Sequence, residues 1–466
     1  MSQETLSKID ESHINEISSS RNEPDWLKDY RKDSLSIYST LPIEMSPLYN
    51  KYTDAKRLNP EKISIASSTK DTIPDFLQKR LGELENEICI IQIGTNIHKI
   101  NLPEDLKSKG LVISSISDAI QNNSELVKKA LEASNSNDDK FTALNNAAFN
   151  SGVFIHIPKN FVLEKPIHFL SCLSDDGLST ISRNVIFADE SSKASIVQEL
   201  YSPKTETQQA YLELLNTNVA ANAELSLTTL QMMDQNSVNF STRRTDLGQD
   251  ATVNWYSGLF GSVLSRYKID YYLNGTGASS NESEVVFGNN DQHFDIQTNM
   301  NHQSPATEAR VVEKSILKNR SKSLFKGMIR IKENAAKSNS FLSGRSILLD
   351  KNAKSDAIPG LEILTNDVKA THSASVAQID EEQIFYLKSR CLSHEEAERT
   401  IVEGFLEPLS RKMSFQVRAW IAYLIESKWE NRELTINTDE ELAKFVEIEE
   451  TRYNEDAEIE QHYKYR

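Results

Sequence analysis

Two hydrophobic periods divide the chain, and the change from one to the other falls inside the stretch from Val368 to Phe405. Up to Ile379 apolar and polar residues alternate as on a strand, whereas from Glu381 onward apolar residues recur at helical steps. The change predicts a domain junction. Beyond it Ala397, Ile401, Val402, Phe405, Leu406 and Leu409 fall at steps of three and four and form one apolar stripe, with Glu395, Glu396, Glu398, Arg399 and Glu403 around it. Two helix starts are written locally. Asp380 stands three residues before Gln383, and Ser393 three before Glu396, the spacing of capping boxes whose side chains satisfy the free amides of a first turn. Val417, Trp420, Ile421, Leu424 and Ile425 make a second stripe, and Thr435–Asp439 opens a last helical segment that ends in the charged tail Glu455–Arg466.

Upstream of the junction the texture is different. Residues 1–22 are polar and read as a flexible lead. Pro24 suits the first turn of a helix over Asp25–Tyr38, which Leu41-Pro42 stops. From Leu81 to about Leu170 strand-like runs (Ile88–Ile93, Gly152–Ile157) mix with helical ones (Ile116–Ala133, Phe141–Asn150), a small α/β region that names no chemistry. From about Val185 to Ser375 short alternating β-rich runs are separated by Gly, Asn, Asp and Ser. Tyr267, Ile269, Tyr271 and Leu273 alternate cleanly with Arg266, Lys268, Asp270 and Tyr272.

A small-residue turn recurs before these runs, at Lys193-Ala194-Ser195, Asn222-Ala223-Glu224, Asp250-Ala251-Thr252, Gly277-Ala278-Ser279 and Ala335-Ala336-Lys337. The first four alanines are 29, 28 and 27 residues apart. A period of this size points to a solenoid whose coils bury their inward side chains only against neighbouring coils, with an antiparallel sandwich as the alternative. The expected division is a lead over 1–22, a helical and α/β region over 23–175, a β-helical core over 176–379 and a helical domain over 380–466.

Composition narrows the function. A chain of 466 residues exceeds what one core holds, so two or three units are expected. Fifty-two Lys and Arg against 68 Asp and Glu give a net charge of −16, which disfavours nucleic-acid phosphate and anionic membrane surfaces as partners. Cys89, Cys172 and Cys391 are odd in number and far apart, which fits neither a disulfide framework nor a paired-cysteine metal site. The first residues have no apolar signal region, and Ile88–Ile91 is too short to span a bilayer. A cytoplasmic protein is expected. Neither a phosphate-cradling Gly-x-x-x-x-Gly-Lys-Ser/Thr run nor a Gly-x-Gly-x-x-Gly dinucleotide loop occurs, so any ATP-driven step needs another subunit.

Few residues carry chemistry. His372, just before the junction, can ligate a metal through one ring nitrogen if other groups complete the site, and the alternative is a hydrogen-bonded histidine at a solenoid edge. The three cysteines read as small packing residues. His293 and His302, nine residues apart, could line one face of adjacent coils, with a structural role the stronger reading. A β-helical enzyme of polysaccharide chemistry needs clustered carboxylates on one sheet face, and Asp246, Asp250 and Asp270 do not recur at one coil phase.

One long run of residues goes further. Thr371, His372, Ala374, Val376, Ile379 to Leu387, Ser389, Arg390 and Ile401 to Phe405 resemble the C-terminal signature of the SufB/SufD family, the scaffold proteins of SUF iron–sulfur cluster assembly. Asp291-Gln292-His293-Phe294-Asp295, His302, Lys326-Gly327 and Ile347-Leu348-Leu349 extend the resemblance, and Glu23-Pro24-Asp25-Trp26 with Leu41-Pro42 adds a weaker match.

The resemblance implies a mainly β fold with α, in which a right-handed parallel β-helix is flanked by an N-terminal α/β region and a C-terminal helical domain. It implies that His372 is the metal or cluster ligand, acting at an interface with a SufB-type paralogue on a transient iron–sulfur cluster shared between subunits. It further implies that a SufC-type ABC ATPase docks on the C-terminal helices, for which Ile401, Val402, Phe405, Leu406 and Leu409 are the natural element.

SufB-type chains carry a cysteine where this chain has Gly344 and a glutamate where it has Thr371, and many SufD-type chains have a cysteine where it has Ala370. The resemblance is therefore to a SufD-like, non-enzymatic subunit. A purely structural adaptor is the alternative. Flavin binding and a homodimer in the partner's absence stay open.

Overall fold

A computed structural model describes residues 4–42, 57–70, 72–410, 413–436 and 440–463 of the chain. From Leu178 to Gln378 the chain is a succession of fourteen strands of eight to eleven residues. Consecutive strands go to opposite sheets, and every pairing within this run is parallel and in register. The result is a β-solenoid with two strands per coil, its inward residues meeting between the sheets in one extended apolar cluster that includes Ile196, Leu225, Trp255, Tyr271, Ile296 and Leu342. No hairpin is needed: Asn274-Gly275, a hairpin-like pair by sequence, sits at a corner between strands Leu264–Leu273 and Ser279–Gly288 of different sheets.

One corner sets the repeat. Ser191, Asn222, Asp250, Gly277, Ala306 and Lys337 all have left-handed backbone, with φ from +52° to +74°. Their amides reach a carbonyl in the next corner, as from Ser191 to Ala221 at 2.9 Å, Asn222 to Gln249 at 2.8 Å and Asp250 to Thr276 at 2.9 Å. Asn, Asp and Gly tolerate this conformation best, which is why such residues recur there. By register Ala223, Ala251 and Ala278 are equivalent, as their spacing predicts. Ala194 is not: it pairs with Leu225, and Ser192 occupies the corner, so the first coil is 31 residues rather than 29. Ser338, not Ala335, continues the row. Any small residue fits this corner, so alanine alone misplaces the phase.

The stacking begins before residue 176. Strands Cys89–Ile93 and Val153–Ile157 already pair in parallel with Ile167–Cys172 and Leu178–Ala188. Helices Asp25–Thr40, Ile116–Asn122, Ser124–Ala133 and Lys140–Ala148 cover the outward side of the first sheet, bringing Leu27, Ile116, Leu131 and Phe149 into one cluster with Phe187, Leu212 and Phe240.

Residues 4–22, expected as a polar flexible lead, pack against this layer instead. A helix over Glu11–Ser20 is capped by Asp10, whose carboxylate accepts from the His13 amide at 3.0 Å, and Leu6, Ile14 and Ile17 are buried. Three well-placed apolar residues suffice because a ready-made surface receives them, a circumstance that composition does not report. The anchor is ionic. Arg31 donates twice to Glu23, at 2.8 and 2.7 Å, and to the carbonyls of Ala147 and Phe149 at 3.0 Å each, with both charged side chains essentially inaccessible.

Helices Glu381–Lys388, His394–Ser410, Phe415–Trp429 and Glu440–Tyr463 follow the last strand. Ser393 and Glu396 cap reciprocally, the Ser393 amide donating to the Glu396 carboxylate at 2.7 Å and the Glu396 amide to the Ser393 hydroxyl at 3.2 Å. The helices lie against the side of the second sheet, where Trp429 meets Phe287 edge-on at 5.3 Å. Of the expected helical start Thr435–Asp439, residues 437–439 lie outside the described residues, as do residues 464–466 of the charged tail. No helix among the described residues is long and apolar enough to cross a membrane.

Arg31→Ala strips the partner from a buried carboxylate and is expected to destabilise the N-terminal layer by about 3–5 kcal/mol. Hydrogen exchange should then show 4–40 opening well before the coils from Leu178 onward.

Candidate functional site

The last coil has no successor. Strands Lys354–Ile363 and Lys369–Gln378 end the two sheets, each paired on one side only. Residues in register in a parallel ladder point the same way, so the inward rows can be followed to the end. Leu342, wholly buried, is the partner of His372, and Gly344 of Ala374. Opposite them Phe325, Gly327, Ile329 and Ile331 hand over to Ala357, Pro359, Leu361 and Ile363.

These residues face the core side of the stack with nothing over them. Leu361, Ile363 and Val376 remain about 40% accessible, and His372 is exposed. The terminal strands therefore present two rows of unpaired backbone groups and an apolar inward layer holding one imidazole. Phe385 and Tyr386, on the first helix after the last strand, add two exposed aromatic rings, 75% and 54% accessible.

Among the described residues no group of three His, Cys, Asp or Glu is placed to hold a metal ion, and His372 therefore belongs to no such group there. The position where the family resemblance puts a thiolate is closed by packing: a Cβ on Gly344 would run into the Phe325 ring. Thr371 adjoins His372 on the alternate face of the strand and supplies no carboxylate. Cys89 and Cys172 are buried in the first coils, and burial raises both thiols, Cys172 well above the usual range. Cys391 is exposed at a helix end with φ of +70°, the place of a capping glycine.

His293 and His302 do not lie on adjacent coils. They are the first and last residues of one strand, and both are buried. His302 Nδ1 lies 2.7 Å from the Thr307 hydroxyl, and burial lowers its pKa to about 4, which keeps it neutral. Asp246 is held by Arg244 at 2.7 Å, and Asp270 accepts from Asn299 at 2.7 Å, so these carboxylates are engaged within the chain.

The stripe Ile401, Val402, Phe405, Leu406 and Leu409 divides in two. Val402, Leu406 and Leu409 are buried in the chain's own core, whereas Ile401 and Phe405 are half-buried. Beside them runs a groove of about 650 Å³ between the helices, floored by Val402, Leu406, Ile421, Ile425 and Phe445 and rimmed by Arg399, Glu426, Glu449 and Arg452. Lys314 fixes the stripe from the sheet, donating to the Phe405 carbonyl, and burial lowers its pKa to about 8.

Sequence reasoning missed a different set. Glu213, Arg243, Glu282, Glu284 and Glu313 point into the solenoid and are buried. The available signal was phase: Glu284 and Glu313, 29 residues apart, are register partners.

Comparison with known proteins points to one family. A SUF-system iron–sulfur cluster assembly core-domain model, SufBD core, matches residues 171–405, and the SufBD N-terminal region model matches 74–169. An iron–sulfur cluster assembly SufBD family protein of Staphylococcus aureus strain USA300 is 29% identical over 438 residues, covering 91% of this chain and 93% of the relative. Its counterpart in Staphylococcus haemolyticus strain JCSC1435 is 28% identical with the same coverage.

Gly344→Ala is expected to lower stability by about 1–3 kcal/mol through overpacking. Adding Phe325→Leu should recover part of the loss in urea unfolding.

Proposed function

The chain belongs to the SufBD family of iron–sulfur cluster assembly proteins, and from that membership we propose that it is the SufD-like, non-enzymatic partner in a cytoplasmic SUF scaffold. The observation that carries this reading is the uncapped end of the solenoid. A stack of coils needs an atypical terminal repeat to shield its last inward layer, and exposed strand edges invite pairing with another chain. The helices that could serve as a lid lie on the side of the second sheet instead. The occupant that fits is another coil stack with its own open end, a SufB-type paralogue, whose strands would meet Lys354–Ile363 and Lys369–Gln378.

His372 then becomes an interface residue. One imidazole can take one position of an iron or nascent cluster, while soft iron–sulfur chemistry asks for thiolates that this chain does not bring to the site. The cysteine and carboxylate come from the paralogue, and the cluster is cargo shared across the interface. The blocked position at Gly344 supports the SufD-like assignment, because restoring a side chain there requires moving Phe325.

A SufC-type ATPase docks at the C-terminal helices. Since Val402, Leu406 and Leu409 are committed to internal packing, its contacts fall on Ile401, Phe405 and the adjoining groove. ATP-driven closure of two such subunits pulls on helices joined directly to the His372 strand and opens the shared interface. A structural adaptor without a metal role shares every contact and differs only at His372.

Two measurements separate these readings. Leu361→Asp with Val376→Asp is expected to weaken recovery of the paralogue at least about tenfold, equivalent to roughly 1.4 kcal/mol, while the ATPase still co-purifies. Undiminished paralogue recovery would remove the open end as the interface. His372→Ala is expected to leave the complex assembled but lower its iron and sulfide content, and unchanged content would leave the adaptor reading.

A further inference from the structure

A cleft at the opposite end of the rod from His372 has no part in the scaffold reading. Strands Cys89–Ile93 and Asn96–Asn101 end the second sheet there. Five segments meet around the cleft: Ser20 and Arg21 at the end of the first helix, residues 67–69, residues 95–97, residues 115–118 and residues 151–152. Its volume is about 720 Å³.

Backbone contacts hold these segments in place. The Thr69 and Thr95 amides each donate to the other residue's hydroxyl at 2.9 Å, the Asn96 side-chain amide donates to the Thr69 carbonyl at 2.9 Å, and the Ile116 amide to the Gly152 carbonyl at 2.9 Å. Two glycines permit the close approach. Gly94 and Gly152 have φ of +54° and +152°, and a Cβ on them would meet the Thr69 side chain and the Arg183 carbonyl. Walls fixed in this way keep the cleft open without a ligand.

The lining is polar. Eight of its fourteen residues are serine or threonine, only Ile97 and Ile116 are aliphatic, and no aromatic ring is among them. Such a surface suits neither a planar cofactor nor a lipid chain, both of which want apolar walls.

One cation and one anion stand among the hydroxyls without ion-pair partners. Arg21 donates through Nη2 to the Asn150 carbonyl and lies 3.5 Å from the Ser67 carbonyl, and among the described residues its Nε and Nη1 find no acceptor. The nearby carboxylate of Glu23 is already engaged by Arg31. Burial, followed by the Arg31 guanidinium, pushes the Arg21 pKa down to about 10 against the support of Glu23, so Arg21 stays charged at neutral pH in surroundings that want an anion. Asp118 accepts from the Ser115 hydroxyl at 2.7 Å through Oδ2, while Oδ1 has no partner among the described residues. An exposed carboxylate needs no partner by itself. Its weight here comes from lining the same cleft as the guanidinium without pairing with it.

Charge then selects the ligand. A phosphate dianion gains from Arg21 but is repelled by Asp118 and by a chain of net charge −16, and a simple amine meets the reverse. A molecule with one charge of each sign satisfies both groups. We propose that the cleft binds a small hydrophilic zwitterion, an amino acid or dipeptide, with its carboxylate on the free Arg21 donors, its ammonium toward Asp118 and its polar remainder among hydroxyls such as Thr95, Ser117 and Ser151. The carboxylate accepts charge-assisted hydrogen bonds from the guanidinium, the strongest kind this lining offers.

The cleft and the open end lie at opposite ends of the second sheet, so this binding and the scaffold pairing can fail separately. Calorimetric titration of the full chain with L-serine and with glycylserine, at constant ionic strength, is expected to give saturable binding of at least one. Inorganic phosphate and ethanolamine should each bind at least about tenfold more weakly. Arg21→Lys keeps the charge but loses the fork, and Ser117→Phe fills the cleft while leaving Arg21 in place; each should weaken binding at least about tenfold. Asp118→Asn should remove the preference for L-serine over glycerate, its counterpart with a hydroxyl for the ammonium. Absence of saturable binding by both zwitterions would overturn the site. Phosphate or ethanolamine binding as tightly as the zwitterions would overturn the ligand class, and binding untouched by Arg21→Lys and Ser117→Phe would remove it from this cleft. Should Arg21→Lys not fold, Ser117→Phe and the comparison of probes decide by themselves.

Discussion

A coil in this fold can bury its inward side chains only against the coil before and the coil after it, and the whole molecule follows from that dependence. Leu342 is fully buried because His372 and its strand stand over it, while His372 itself is exposed because no further strand follows. The strong parallel pairings that make the middle of the stack rigid are the same interactions left unmade at its last edge. At the other end the problem is solved within the chain, by the antiparallel strand Asn96–Asn101 and by the helices over the first sheet.

The contrast between the two ends gives the molecule its direction. Buried ion pairs tie the N-terminal layer down: Arg31 with Glu23, and Arg80 with Glu199 at 2.5 and 3.0 Å. Burying such pairs carries a desolvation penalty, so their value lies in fixing one arrangement more than in adding stability. The C-terminal helices instead lie along the outward face of the second sheet, held by Phe260, Phe287, Ile316 and Trp429 and by Lys428, whose ammonium donates to the Phe260 carbonyl, Asn289 and Gln292. They grip the rod from the side and leave its end bare, so the helical surface and the open end are separate.

Under the proposed pairing, chemistry at that end depends on what a partner adds, because a lone imidazole is a weak site by itself and gains use only when another subunit completes it. Gly344 is held as glycine by the Phe325 ring, so any side chain there would have to displace that ring.

The sequence by itself determined the solenoid, the junction after Ile379 and the helical caps, because local period, turn residues and capping spacings are short-range properties of the chain. The resemblance carried by His372 and the residues after it singled out the family that the later comparisons support. Burial decided the rest. Whether Leu6, Ile14 and Ile17 order the leading residues depends on the surface that receives them, and whether Ser192 or Ala194 marks a corner depends on which strand it lies beside. Val402, Leu406 and Leu409 turned inward because the second sheet offered an apolar face, while Glu282, Glu284 and Glu313 met in the lumen because coil length brought positions far apart in sequence into one row. Spacing along a chain cannot state what lies across a core, and in this fold nearly everything beyond the repeat is a contact across one.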